Sequence, residues 1–342
     1  MAGLAFVLFA ARISAGPALS TDNATPAPTA RVIIVEDSRA TDAYKPRPDV
    51  VQGMLDQAVL RLTGSNDIAS AWSAFVSPRD VVGLKVYSVP GPNSGTRPAV
   101  VEAVIHDLLA AHMAATNIVI WDRYLTDLRH AGYMQLAARY GVRVAGSRDT
   151  GYDEKVFYNN LLLGQLRWGD VEFEKKGDDV GKKSFVTKLL TQDVTKIINI
   201  TPLLNNYEAG VSGNLYGLAM DSVDNTLRFE WNPDRMAMAA PEIYALPQVG
   251  DRVTLNIVDA LLCQYEGSQE GKLHYSTILN QLRVSRDPVA LDVLSVDELA
   301  RQRAQGGFPP AQTNLTLYQN ASLLELGVSD PQKIQVERLH YP

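Results

Sequence analysis

The chain has 342 residues, 32 basic and 38 acidic side chains, and a formal net charge of −6. Its single cysteine, Cys263, excludes an intramolecular disulfide, and it also excludes a zinc site or an iron–sulfur cluster held by the chain's own cysteines. The slightly acidic composition disfavours nucleic-acid binding, and no apolar run approaches the roughly 20 residues of a membrane-spanning helix.

The first thirty residues are expected to lie outside the fold. An apolar run from Gly3 to Ala11 is followed by small residues and by a Pro-rich polar stretch from Thr21 to Thr29. This order is typical of a secretory signal with a linker, although no basic residue precedes Arg12. We therefore expect residues 1–30 to be an incomplete signal and linker, and the protein to be exported to the periplasm or the exterior with no membrane span after signal removal. A buried N-terminal helix is the alternative.

Strands and helices alternate along residues 31–342. The predicted strands are Arg31–Val35, Asp80–Val86, Ile118–Asp122, Val194–Thr201 (closed by Pro202) and Val253–Val258, and the predicted helices are Val50–Leu62, Pro98–Met113 and Met134–Tyr140. This alternation predicts a single α/β domain with a mainly parallel open sheet and helices on both faces. The charged, Gly-rich segment from Gly164 to Lys188 does not fit and is predicted to be an inserted hairpin or flap.

Ligands of open parallel sheets gather at the carboxyl ends of the strands, so polar residues at those ends are the candidates for chemistry. Lys85 lies in an apolar strand, where it must reach the sheet edge, pair with an anion or lower its pKa. Asp122 and Asp259 each end a predicted strand. A carboxylate there can bind a metal, hold a ligand hydroxyl, act as a base or cap a loop. We take Lys85, Asp122 and Asp259 as the candidate catalytic residues.

Loop–helix junctions supply the candidate ligand contacts. A helix N-terminus with a hydroxyl and a guanidinium can cradle an anion, although helix capping explains the same residues. Gly210 and Gly213 flank Ser212 and allow the backbone to approach a ligand closely. The side chains of Asn205, Asn206 and Tyr207, which precede them, offer uncharged hydrogen-bonding groups. The candidates are Thr96, Arg97, Asn205, Asn206, Tyr207, Gly210, Ser212, Gly213 and Asp287, of which the last is explained well enough as a helix N-cap.

Motifs of several common enzyme classes do not occur in the sequence. It contains neither a phosphate-binding GxGxxG or Walker pattern nor a GxSxG nucleophile elbow, and its five histidines are scattered. The sequence therefore leaves the cofactor and any metal unknown.

Five blocks in chain order resemble the family of domains of unknown function 362. They are Val82–Tyr87, Gly95–Pro98, Ile118–Asp122, Pro202–Tyr216 and Ser285–Asp292, and the resemblance spans about residues 31–335. It implies an often exported protein with relatives that include iron–sulfur proteins. The family's Lys and His of the fourth block fall at about Asn205 and Tyr207, and its second Lys at about Tyr216. Positive charge is thus absent where relatives carry it.

These observations favour an exported enzyme that acts on a small anionic or polyhydroxylated molecule. Lys85 would neutralise the ligand, the helix N-termini at Thr96 and Ser212 would donate N–H groups, and Asp122 or Asp259 would handle a proton or a metal. Replacing Lys85 by Ala is then expected to weaken ligand binding with little loss of stability. Two alternatives remain: a non-catalytic binding protein that has lost the family's charges, and a redox accessory protein that docks onto a partner electron carrier.

Overall fold

The computed structural model describes residues 29–160, 182–311 and 315–340. The predicted signal and linker lie outside these residues except for their last two positions. Most of the predicted flap, Gly164–Lys188, also lies outside them. Its described end forms a strand that pairs antiparallel with the strand preceding the gap, Tyr152–Asn159.

The described strands form one large mixed sheet and two small two-stranded sheets. The strands are β1 (Ala30–Glu36), β2 (Thr41–Asp42), β3 (Lys45–Pro46), β4 (Val82–Lys85), β5 (Ile118–Asp122), β6 (Arg143–Gly146), β7 (Tyr152–Asn159), β8 (Lys183–Thr187), β9 (Lys196–Asn206), β10 (Gly210–Val211), β11 (Val253–Gln264), β12 (Ser276–Ser285) and β13 (Ile334–His340). The large sheet has the order β13-β1-β12-β11-β9-β4-β5-β6, with β10 beside β9. Strand β12 runs antiparallel to both neighbours and β10 runs antiparallel to β9, whereas the other neighbours are parallel.

Helices cover both faces of this sheet, which confirms the predicted fold class. The helices are α1 (Pro48–Thr63), α2 (Ile68–Ser73), α3 (Pro98–Ala110), α4 (Leu125–His130), α5 (Tyr133–Tyr140), α6 (Ser147–Thr150), α7 (Asn214–Ser222), α8 (Pro233–Tyr244), α9 (Pro288–Gln305) and α10 (Thr316–Leu323). Because side chains alternate along a strand, Ile118 and Ile120 pack with α1, α2, α3 and α5 on one face, and Val119 and Trp121 pack with α7 to α10 on the other.

Two strand ends differ from the prediction. Strand β9 does not close at Pro202 but continues to Asn206, because Pro202 lies past the last pair with β4 and at a shift in the pairing with β11. No hydrogen bond between strands therefore requires the backbone N–H that Pro202 lacks. Strand β11 likewise continues through Asp259 to Gln264, since the apolar residues that follow Asp259 extend the strand. Asp259 is thus inside a strand and does not end it.

Candidate functional site

Lys85 is held between two carboxyl groups. Lys85 ends β4 and Asp122 ends the parallel neighbour β5, and the third group, Asp221, comes from α7. The Nζ atom of Lys85 lies 3.1 Å from Asp122 Oδ1 and 2.7 Å from Asp221 Oδ2, and it donates to the carbonyl oxygen of Val86. The side chains of Lys85 and Asp122 are 1% exposed, and that of Asp221 is 8% exposed. We call these three residues the Lys85 cluster.

Asp122 is the ionised carboxyl group of the cluster. Its Oδ2 accepts hydrogen bonds from the backbone N–H of Ser88 at 2.7 Å and from Ser88 Oγ at 2.5 Å, and its Oδ1 accepts one from the N–H of Arg123 at 2.9 Å. Burial raises the pKa of Asp122, but the Lys85 cation and the hydrogen bonds from Asp221 and Ser88 outweigh burial and hold this pKa below its usual value.

Asp221 has the opposite protonation preference. Burial raises its pKa, the Lys85 cation opposes this increase, and the charge of Asp122 adds to it, so that the pKa of Asp221 reaches about 8. At neutral pH Asp221 therefore carries a proton while Asp122 does not. Two carboxyl groups whose environments separate their pKa values in this way can act as acid and base. The pKa of Lys85 is itself raised, because the two carboxyl groups outweigh its burial.

Aromatic and hydroxyl side chains surround the cluster. The Lys85 Nζ atom lies 5.9 Å from the ring centroid of Tyr87 and 5.5 Å from that of Trp121. Burial raises the pKa of the Tyr87 hydroxyl well above its usual value, although the nearby Ser212 lowers it. The Oγ atom of Ser212 is buried and has no hydrogen-bond partner among the described residues. Ser212 therefore lies near the tyrosine ring that faces Lys85, and no contact among the described residues joins it directly to Lys85 or Asp122. The buried position of Lys85 also argues against the expectation that its removal costs little stability.

Asp259 and Arg97 form a second buried ion pair, and Thr96 precedes Arg97 in the chain. Asp259 Oδ1 lies 3.0 Å from Nη1 of Arg97, and its Oδ2 accepts from the N–H of Arg97 at 2.9 Å. The carboxylate of Asp259 therefore occupies the helix N-terminus where we expected a ligand anion. Thr96 makes no cap for α3: its hydroxyl donates to the carbonyl oxygen of Ile200 at 2.7 Å and accepts from the N–H of Tyr87 at 3.0 Å.

Four of the predicted ligand contacts, Asn205, Asn206, Tyr207 and Gly210, lie together on the wall of a cavity of about 260 Å³. The Oδ1 atom of Asn206 is already used, because it accepts from two backbone N–H groups of the turn between β9 and β10 at 2.9 Å each. None of the three cluster residues lines this cavity.

Gly213 and Asp287 have structural roles. Asp292 of α9 accepts from the N–H groups of Asn214 and Leu215, the first residues of α7, at 2.7 and 2.9 Å. A Cβ at Gly213 would lie 2.3 Å from Asp292 Oδ1, so glycine makes room for this carboxylate. Asp287 is the N-cap of α9, as predicted, through a bond of 2.8 Å from the N–H of Ala290.

Sequence reasoning missed Asp221 and Ser88. A signal was present for Asp221, because it lies in a helix whose residues are all buried, and a carboxyl group in such a segment needs a polar partner. Within residues 29–160, 182–311 and 315–340, no group of three or more His, Cys, Asp or Glu side chains could hold a metal ion. Across the same ranges, no helix has the length and apolar character needed to cross a membrane.

Comparisons with known proteins support the resemblance seen in the sequence. A family model described as Domain of unknown function (DUF362) matches residues 82–297. A crystal structure of a protein from Thermotoga maritima is similar at a TM-score of 0.41 and 10% identity, over 78% of this chain and 60% of that protein. No curated protein matches the chain.

Proposed function

Since this chain belongs to the DUF362 family, whose description names no reaction, we propose a function from the geometry of the Lys85 cluster. The protein is a small-molecule enzyme that works by acid–base catalysis, with Asp221 as the proton donor and acceptor. The observation that carries this proposal is the pair of carboxyl groups on one buried ammonium group, with the pKa of Asp221 at about 8 and that of Asp122 lowered.

Each residue of the cluster has a role in the proton transfer. Protonated Asp221 donates its proton to an oxygen of the ligand and becomes a carboxylate, or the carboxylate takes a proton from the ligand in the reverse direction. The Lys85 ammonium group, 2.7 Å from Asp221 Oδ2, stabilises the negative charge that then develops on Asp221. Asp122 remains ionised and holds the ammonium group in place. Asp122 and Lys85 are therefore positioning and electrostatic groups, and Asp221 is the group to which we assign the proton exchange with the ligand.

The charge of the cluster favours one of the two ligand classes predicted from the sequence. With Asp221 protonated, the positive charge of Lys85 is balanced by Asp122, so the cluster as a whole is neutral. Lys85 is then not free to neutralise a ligand anion, and hydroxyl or carbonyl groups are the better partners at the reacting end. A polyhydroxylated molecule is therefore the class we favour. The neighbouring cation, Arg123, is likewise compensated, because its guanidinium lies 3.3 Å from the carboxylate of Glu230.

Export remains part of the proposal and rests on the sequence of residues 3–29. A periplasmic or extracellular enzyme would meet sugars and sugar acids directly.

Ligand screening followed by a turnover assay tests the proposal. Thermal-shift screening of the full chain against sugars, sugar acids, carboxylates, phosphates and divalent metals would identify a stabilising compound, and mass spectrometry would then follow its conversion. We expect Asp221→Asn to keep binding and to lose turnover by about 10²- to 10⁴-fold. The matched control Asp297→Asn, an exposed position of α9, should keep both.

Two results would overturn the proposal. A stabilising compound that wild-type protein never converts would favour the non-catalytic binding protein. A compound that Asp221→Asn converts as fast as wild type would show that Asp221 is not the proton-transfer group.

A further inference from the structure

We propose that the cavity beside Asn205 is a second ligand site, for a compact, uncharged, ring-bearing molecule with a hydrogen-bond acceptor. The cavity lies between the end of β9, the end of β11 and α9, and its volume of about 260 Å³ corresponds to on the order of nine water molecules. This volume is slightly below the roughly 300–1,000 Å³ of typical ligand pockets and suits a molecule of two fused rings.

The walls of the cavity are apolar and aromatic. Val296, Leu299 and Ala300 lie at helical spacing on α9 and form one wall. The ring of Tyr265 lines another part of the wall, and it packs against Phe308 with centroids 5.9 Å apart. A ring held in this way offers a flat, preformed surface, which favours a flat ligand.

The charged residue of the lining, Arg303, is already compensated. Its guanidinium contacts the carboxylate of Glu266, and its Nε donates to the carbonyl oxygen of Pro309 at 2.7 Å. The hydroxyl of Tyr207 donates to the same Glu266 carboxylate. An anionic ligand would have to displace Glu266 from Arg303, and a cationic ligand would meet the guanidinium. The cavity therefore suits an uncharged molecule.

Asn205 supplies the polar contact. Its Oδ1 atom accepts from the N–H of Ser268 at 2.9 Å, which fixes the orientation of the amide group. No residue in the described part of the chain accepts a hydrogen bond from its Nδ2 group. This N–H group is left as a donor at the cavity wall, and a carbonyl or ether oxygen of the ligand would accept from it.

The uncharged fluorophore prodan, a naphthalene with a ketone, is a suitable probe, and its anionic counterpart is 8-anilinonaphthalene-1-sulfonate. We expect saturable, blue-shifted prodan emission with one site per chain, and weaker binding of the sulfonate. Ala300→Trp should fill the cavity and weaken prodan binding at least tenfold. Asn205→Asp keeps an oxygen that accepts from the N–H of Ser268 but removes the Nδ2 donor. This variant should also bind prodan severalfold more weakly than wild type.

Two control variants separate this site from the rest of the molecule. Ala304→Trp, one turn along α9 at an exposed position outside the lining, should bind prodan as wild type does. Asp221→Asn should do the same, so that failure of the proposed catalysis leaves this result unchanged. Circular dichroism establishes that each variant is folded.

Three results would overturn the assignment. One is prodan emission that does not saturate. Another is an affinity that neither Ala300→Trp nor Asn205→Asp changes. The third is binding of the sulfonate that is as tight as that of prodan and equally sensitive to the two variants, which would show that the cavity takes anions.

Discussion

Replacing Lys85 by Met should destabilise the protein strongly, and more so at high pH. Methionine has nearly the same length but no charge, so the packing between Tyr87 and Trp121 is largely kept while the cation is lost. Asp122 is then a buried carboxylate without a compensating charge. Removing one partner of a buried ion pair costs about 3–5 kcal/mol, which is a large part of the 5–15 kcal/mol by which a typical domain is stable.

The sign of the pH dependence follows from the pKa of Asp122. In the wild type this pKa is lowered, so Asp122 contributes stability above its unfolded pKa of 3.8 and loses that contribution as the pH falls. In Lys85→Met, burial is no longer opposed by a cation, and the folded pKa of Asp122 lies above the unfolded one. In the variant, Asp122 is protonated and uncharged at low pH. As the pH rises, the variant loses stability because Asp122 must either stay protonated or become a buried, uncompensated carboxylate. The difference between the two proteins therefore grows from about pH 4 to pH 8.

Urea unfolding at pH 5 and pH 8, followed by far-ultraviolet circular dichroism, measures this difference. Lys333→Met is the matched control, because Lys333 is 46% exposed and 3.9 Å from its partner Asp330, and the change there should stay within about 1 kcal/mol. Adding Asp122→Asn to Lys85→Met should recover much of the loss. A penalty below about 1 kcal/mol at pH 8, or one of equal size at both pH values, would refute the assignment of an ionised pair.

Two further predictions concern stability. Burial and the nearby Asp56 raise the pKa of Asp107 to about 7, so its pKa in the folded state exceeds that in the unfolded state. The stability that Asp107 contributes is therefore fully present below the unfolded pKa and is lost as the pH rises through 7. From pH 5 to pH 7 the free energy of unfolding should fall by about 2 kcal/mol less in Asp107→Asn than in the wild type, because Asp221 contributes to the fall in both proteins, and identical pH profiles would contradict the account. Gly213→Ala should cost about 1–3 kcal/mol, because its Cβ would lie 2.3 Å from Asp292 Oδ1. Gly217→Ala, inside α7 with its nearest neighbour at 3.6 Å, should instead be neutral or stabilising, and equal thermal shifts for both glycine variants would contradict the steric argument.

The sheet was predictable because its signals are local. Short apolar, β-branched runs give β1, β4 and β5 within two residues of their observed ends. The ends of β9 and β11 were not predictable in this way. A proline or an aspartate ends a strand or not according to which strand lies beside it at that position. The order and register of the strands in the folded sheet decide this, and the local sequence does not show them.

The candidate site was predictable only in part, for a related reason. Lys85 and Asp122 end adjacent parallel strands, so their pairing follows from strand order. Asp221 enters from α7, about a hundred positions later, and its part in the cluster depends on how that helix packs against the sheet. Arg97 and Asp259 were each expected to face a ligand, and instead they satisfy one another. A charge near a strand end in sequence thus does not show whether its partner is a ligand or another residue of the chain.

The position of β1 in the sheet has a consequence for how the chain reaches its native state. Both of its neighbours, β12 and β13, come from the far end of the sequence, and the hydroxyl of Ser285 donates to the carbonyl oxygen of Arg31 across 254 positions. During synthesis β1 therefore has no neighbour in the sheet until β12, Ser276–Ser285, has been made. Pairing over such a separation is slow, because the intervening loop must first be closed at a cost in entropy. An apolar strand left waiting in this way is a natural target for a chaperone, and completion of this edge is expected to be among the last events of folding.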